Sequence, residues 1–193
     1  MLHEKLKNYR IILASGSPRR QMLLKGLDIP FEIKLKEIEE KFPSHLKREE
    51  IALYLCELKA SAFQNEMDDN TIVITADTIV WIKDRILNKP KDYTDAVNIL
   101  TQLSGNMHEV ITGVCLKTNK KTHSFYALTK VFFKPLSQEE IKYYVSRYKP
   151  YDKAGAYGAQ EWIGYVAIER IEGSYFNVMG LPTRLLYQEL LKF

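Results

Sequence analysis

The sequence predicts an α/β fold: a mixed β-sheet with flanking helices, arranged as two lobes around a central cleft. Three observations lead there. Residues 71–81 are nearly continuous in β-formers, the pattern of a central strand buried on both faces. Amphipathic helical stretches alternate with strand-like runs along the chain. Two further long strand candidates, 110–117 and 122–134, are joined directly by a short Thr118-Asn119-Lys120-Lys121 turn, so the sheet is mixed. No repeat, low-complexity tract or linker divides the 193 residues. One domain over 1–193 is expected, long enough for a single core or two small lobes.

The elements follow in order. The N-terminus leads straight into a short buried strand at 9–14. Ser17 then caps a helix with Pro18 at its first position. Met22, Leu23 and Leu27 give that helix its buried face, and Pro30 ends it. A second strand is expected at 31–35. Residues 47–63 read as a strongly amphipathic helix, with Ile51, Leu55, Leu58 and Ala62 on one face. A polar loop at 65–70 precedes the central strand. Lys83-Asp84-Arg85 is a turn. Residues 94–103 form a helix, and Gly105 stands just past its end as a C-terminal cap. Ser137-Gln138-Glu139-Glu140 is a capping box for a helix to Arg147. Residues 149–163 are loop-rich, 166–171 a strand, 173–180 an irregular loop, and Pro182 opens the last helix.

Composition narrows the class. Hydrophobic residues make up 46% and charged residues 27%, ordinary for a globular protein. No apolar run approaches the ~20 residues of a membrane-spanning helix, and the first residues lack a signal-peptide core. Cys56 and Cys115 lie among apolar residues and read as reduced core thiols, so a cytoplasmic setting is expected. The net charge of +4 comes without a Lys/Arg block or interleaved aromatics, which argues against nucleic acid. His3, His45, His108 and His123 are scattered, and no zinc-ligand spacing occurs. His108 and Trp162 read as structural.

Five segments look chemical. Ser15-Gly16-Ser17 precedes a helix and presents backbone N–H groups to an anion. Arg19 and Arg20 occupy that helix's first turn, where the macrodipole disfavours cations by ~0.3–1 kcal/mol each. A bound anion would reverse that balance, and arginine suits bidentate phosphate contacts. The plainer alternative is a capped helix with two solvated arginines. Neither a Walker A loop nor a nucleophile elbow is present. Asp77 falls inside the apolar run of the central strand, where an ionised carboxylate must be paired, hydrogen-bonded or metal-bound. Glu39 and Glu40, if on a strand, point to opposite faces, so at most one enters a site. Lys59 flanks the apolar face of its helix, and Lys89 lies in Asn88-Lys89-Pro90, held extended by the proline. The small-residue stretch from Tyr151 to Gln160, with Gly173 to Pro182, permits close backbone approach to a ligand. Gln160 could read a planar amide edge.

Taken together, Ser15 to Arg20, Ala76-Asp77-Thr78-Ile79-Val80, Lys89-Pro90, Leu103-Ser104-Gly105, Thr112-Gly113-Val114, Asp152 to Gln160 and Gly173 to Pro182 resemble the Maf family of house-cleaning nucleotide pyrophosphatases. They stand in the family's order and cover nearly the whole chain. The family's Asp-Glu pair appears here as Glu39-Glu40, with the second acid kept. The resemblance implies a Maf/ITPase-like fold and hydrolysis of a nucleoside triphosphate to monophosphate and pyrophosphate. It also implies a divalent cation, Mg²⁺ or Mn²⁺, and a homodimer. By motif, Asp77 would be the catalytic acidic residue, and Glu40 would share metal and water handling with it. Lys59 would act beside them. Ser15, Arg19, Arg20, Lys59 and Lys89 would hold the triphosphate, and Arg19, Thr78 and Gln160 match positions tied to substrate choice.

The branch with Asp-Lys-Ala-Gly-Ala-Tyr-Gly-x-Gln prefers dTTP and UTP; another carries Glu near the last position and takes 7-methyl-GTP. Chemistry supports the distinction. Guanine presents adjacent N–H donors, matching a carboxylate, whereas uracil and thymine present N3–H beside carbonyls, matching an amide. A flipped amide also fits cytosine. The choice between dTTP, UTP and modified pyrimidine triphosphates stays open, as does the metal. A competing function is a non-catalytic nucleotide- or RNA-binding regulator, since the family was first linked to septum formation. Another is a broad triphosphatase releasing orthophosphate.

Overall fold

The computed structural model describes residues 1–193. Its helices are α1 (Leu2–Leu6), α2 (Pro18–Lys25), α3 (Glu49–Ser61), α4 (Tyr93–Leu103), α5 (Gln138–Tyr148), α6 (Trp162–Ala167), α7 (Tyr175–Met179) and α8 (Thr183–Lys192). Its strands are β1 (Arg10–Leu13), β2 (Glu32–Ile33), β3 (Thr71–Ile82), β4 (Arg85–Leu87), β5 (Met107–Lys117), β6 (Thr122–Phe133) and β7 (Ile168–Glu172). They form one sheet in the order β2-β1-β3-β5-β6-β7, with β4 also paired to β3. β1 runs parallel to β2 and β3, while β4 on β3 and β7 on β6 are antiparallel. This is the mixed α/β sheet expected from the sequence.

The chain divides into two compact units. Unit 1 holds Met1–Asp77, Thr112–Ala127 and Gly180–Phe193; unit 2 holds Thr78–Ile111 and Leu128–Met179. The core of unit 1 includes a cluster of Ile12, Phe63, Met67 and Val73, and another of Cys56, Ala60 and Cys115. Both cysteines are buried and unpaired, and burial pushes their thiols up. In unit 2, α4 and α5 pack over residues such as Leu100, Leu103, Val131 and Ile141. No helix is long and apolar enough to cross a membrane.

Local chemistry explains the main elements. Every residue of β3 except Thr78 is buried, so the apolar run is a central strand. The Lys83-Asp84 turn has φ of 47° and 57°, the primed geometry whose twist matches a two-residue hairpin. Gly105 follows α4 with φ of 66°. The capping box of α5 is complete, Ser137 and Glu140 each accepting the other's backbone N–H.

Several boundaries differ from the sequence reading. The first residues form α1, whose Leu2 and Leu6 are buried one turn apart; five residues are too few to show a period. Ser17 is the N-cap residue of α2 by position, yet its side chain makes no capping bond. Met22 is exposed, and Leu23 and Leu24 form the buried pair. The second strand shrinks to two residues, with Ile33 and Leu35 exposed. Residues 162–167, expected as loop and strand, form α6, and β7 begins only at Ile168. The 173–180 loop contains α7.

Candidate active site

The centre of unit 1 is built by α3 lying against β3. On β3, Thr75 and Asp77 share a face because side chains repeat every second residue. On α3, Cys56 and Lys59 share a face at i, i+3. The Thr75 hydroxyl donates to the Cys56 carbonyl (2.6 Å), tying the two elements together. Beside that bond Lys59 meets Asp77. Gly113 on β5 permits the close packing, since a Cβ there would stand 2.5 Å from the Ala52 carbonyl.

The Lys59 ammonium donates to Asp77 Oδ1 and forms an ion pair with Glu40 Oε1 at 2.9 Å. One cation therefore holds two carboxylates. Glu39 and Glu40 are not on a strand; they lie in an irregular segment. Even so, the two acids take different partners: Glu39 pairs with exposed Lys41, and Glu40, itself exposed, pairs with Lys59. Strand alternation was the wrong reason for that outcome.

Ser15 is buried at the end of β1, and its Oγ accepts from the Ser17 N–H (3.3 Å). The Gln21 amide donates to the Ser15 carbonyl (3.2 Å), closing the loop onto α2. Arg20 is no solvated surface residue: its Nε donates to the Gly180 carbonyl (2.8 Å). Burial lowers its pKa, while Asp77 and Glu40 act to raise it and Arg19 to lower it further. Ser15, Arg19, Arg20, Glu40, Lys59 and Asp77 thus all belong to unit 1, and Arg20 stands in the field of both carboxylates.

Whether this centre suits a metal depends on its donors. No group of three or more His, Cys, Asp or Glu side chains could enclose an ion. Glu40 and Asp77, already gathered on one ammonium, are a pair of hard oxygen donors. They fit a cation that takes its remaining ligands from phosphate and water, as Mg²⁺ does.

Thr78, Lys89 and Gln160 belong to unit 2. Thr78 is half-buried on β3 and Lys89 is exposed. Gln160 is half-buried, and its Oε1 is buried without a hydrogen-bond donor. Around it the loop is tightly held. Lys153, only 8% exposed, pairs with Asp152 (2.8 Å) and Glu161 (3.1 Å). The Tyr144 hydroxyl donates to Glu161 Oε2 and accepts from the Gly158 N–H (3.1 Å).

A family profile described as Maf-like protein matches residues 10–193. The chain belongs to the Maf family. A dTTP/UTP pyrophosphatase of Flavobacterium johnsoniae is 56% identical over 98% of both chains. A protein of the same name from Porphyromonas gingivalis W83 is 53% identical, over 98% of this chain and 97% of its own. The solved Staphylococcus aureus Ham1 protein shares the fold, with a TM-score of 0.52 and 15% identity over 95% of this chain and 98% of its own.

Within this Maf chain the motif residues divide by unit: Ser15, Arg19, Arg20, Glu40, Lys59 and Asp77 lie in unit 1, and Thr78, Lys89 and Gln160 in unit 2. Four residues that build these sites escaped the sequence reading. Thr75, Tyr144 and Glu161 act through partners 14 to 19 positions away in sequence, where no local period points to them. Lys153 lay within a quoted motif; a lysine among small residues was the available signal.

Proposed function

We propose that this Maf chain is a nucleoside triphosphate pyrophosphatase that hydrolyses dTTP and UTP to the monophosphate and pyrophosphate. Modified pyrimidine triphosphates fall within its range, giving it a house-cleaning role in the cytoplasm. The observation that carries the reading is the Lys59 ammonium shared by Asp77 and Glu40, with Arg20 in their field. The names of its relatives at 56% and 53% identity support the same reaction and the same substrates.

Cleavage between the α- and β-phosphates requires a water aligned on phosphorus while negative charge builds on the leaving pyrophosphate. Asp77 accepts the water's proton or orients it; its buried position and its hydrogen bond from Lys59 hold it in place. Lys59, Arg19 and Arg20 set positive charge against the phosphate oxygens. Ser15 and the loop after it present N–H donors at the start of α2. A divalent cation on Glu40 and Asp77 would supply further positive charge and lower the pKa of the attacking water. Gln160 reads the base: its amide offers one acceptor and one donor, which match N3–H beside a carbonyl on uracil or thymine.

Product analysis tests this. Purified protein with Mg²⁺ or Mn²⁺ and each common nucleoside triphosphate should yield UMP from UTP and dTMP from dTTP, with equimolar pyrophosphate. Orthophosphate as first product would make it a broad triphosphatase. Nucleotide-dependent stabilisation without any product would make it a binding protein.

A further inference from the structure

The loop carrying Gln160 is clasped from both ends. Lys153 at its start and Glu161 at its end are joined by an ion pair at 3.1 Å, and both side chains are largely buried, at 9% and 20% exposure. Tyr144, fully buried on α5 and stacked on Tyr148 (5.0 Å), anchors the middle. Its hydroxyl hydrogen goes to Glu161, and its oxygen lone pair receives the Gly158 N–H. A Cβ on Gly158 would stand 3.0 Å from Gln160 Nε2 and 2.8 Å from Glu161 Cδ. The Gln160 amide therefore rests on the backbone of Gly158, and Gly158 is pinned by Tyr144. A buried ion pair adds little net stability over apolar packing, so what this one contributes is geometry.

We infer that Tyr144, Glu161 and Lys153 are positioning residues for base selection: they fix the Gly158 backbone and with it the reach of the Gln160 amide. This rests on the pyrimidine reading of Gln160. Displacing an amide by an ångström spoils its hydrogen bonds to one base edge while leaving phosphate contacts in place. The signature is a loss of discrimination with little loss of the chemical step.

The test is Tyr144→Phe, which removes both bonds and keeps the ring. UTP and CTP turnover are measured for wild type and variant, with thermal melting as a check on folding. The inference expects KM for UTP to rise about tenfold, the scale of one misplaced hydrogen bond, with kcat within about threefold. The UTP/CTP ratio of kcat/KM should fall towards one. Glu161→Gln, which keeps an acceptor for Tyr144 but loses the charge pair with Lys153, is read the same way and serves if Tyr144→Phe does not fold. Equal losses on UTP and CTP, or none, in a folded variant would overturn the inference. A wild type that turns over UTP and CTP equally would instead overturn the uracil/thymine reading of Gln160 itself.

Discussion

Lys59 and Asp77 form a buried ion pair whose side chains are 16% and 12% exposed, on two elements tied together by the Thr75–Cys56 hydrogen bond. On the proposed function, both the stability of unit 1 and its chemistry depend on this contact. Replacing Lys59 with Met leaves Asp77 and Glu40 facing each other without their shared ammonium. Breaking a buried pair on one side costs about 3–5 kcal/mol, and Arg20 nearby places this case at the lower end. Turnover of UTP should fall about 10²–10³-fold, the effect of removing one preorganised charge from a transition state. Urea unfolding and initial rates check the two halves; an unchanged rate would remove Lys59 from the chemistry.

Gln160→Glu replaces an amide that both donates and accepts with a group that only accepts. Opposite a uracil carbonyl the new oxygen is repulsive. We expect kcat/KM for UTP to fall by about tenfold or more, with stability changed by less than about 1 kcal/mol. Steady-state kinetics with UTP and melting curves check this. Unchanged UTP kinetics would take Gln160 out of base reading.

His108 predicts a pH dependence of stability in unit 2. Its ring is 1% exposed, edge-on to Phe133 and Tyr157, with Nε2 2.7 Å from the Tyr157 hydroxyl. Burial lowers its pKa from 6.5 to about 3. The unfolded chain takes up the proton first as the pH drops. The contribution is therefore full above pH 6.5, declines below it, and is lost as the pH passes through about 3. The slope is at most about 1.4 kcal/mol per pH unit. Unfolding free energies at pH 7.5 and 4.5 should fall less for His108→Phe than for wild type. Equal losses would show that the ring is protonated in the fold.

Gly164 in α6 leaves no room for a side chain, since a Cβ would stand 1.8 Å from the Ala159 carbonyl oxygen. Gly164→Ala must push the backbone next to Gln160 aside. A loss of about 3 kcal/mol is expected, the upper range for overpacking, read as a shift in urea midpoint. A stability equal to wild type would contradict the packing described.

Much of the fold was legible because its signals are local. The β-run around Asp77, the Ser137–Glu140 capping box and the Lys83-Asp84 turn each declare themselves within a few residues. Short elements were not legible: α1 and α7 hold five residues each, below the length at which a helical period can be seen. The start of β7 was misplaced because Val166 suits a strand by propensity, whereas Val166 and Ala167 close α6, with Ala167 buried in the unit 2 core. In the site, Asp77 stood out as a charge in an apolar run, and the Maf motifs named its companions. What no local pattern carried is that Lys59 serves Asp77 and Glu40 together. Nor did any pattern show that Lys153 and Glu161 close a loop upon themselves, because both relations exist only after the chain has folded.

The central claim is that Asp77 carries the cleavage step. The most direct measurement is pyrophosphate release from UTP by Asp77→Asn beside wild type, with UTP affinity measured separately by calorimetry. The account predicts a fall in kcat of about 10³-fold or more, with UTP affinity within a few-fold of wild type. An Asp77→Asn variant that releases pyrophosphate at the wild-type rate would contradict it.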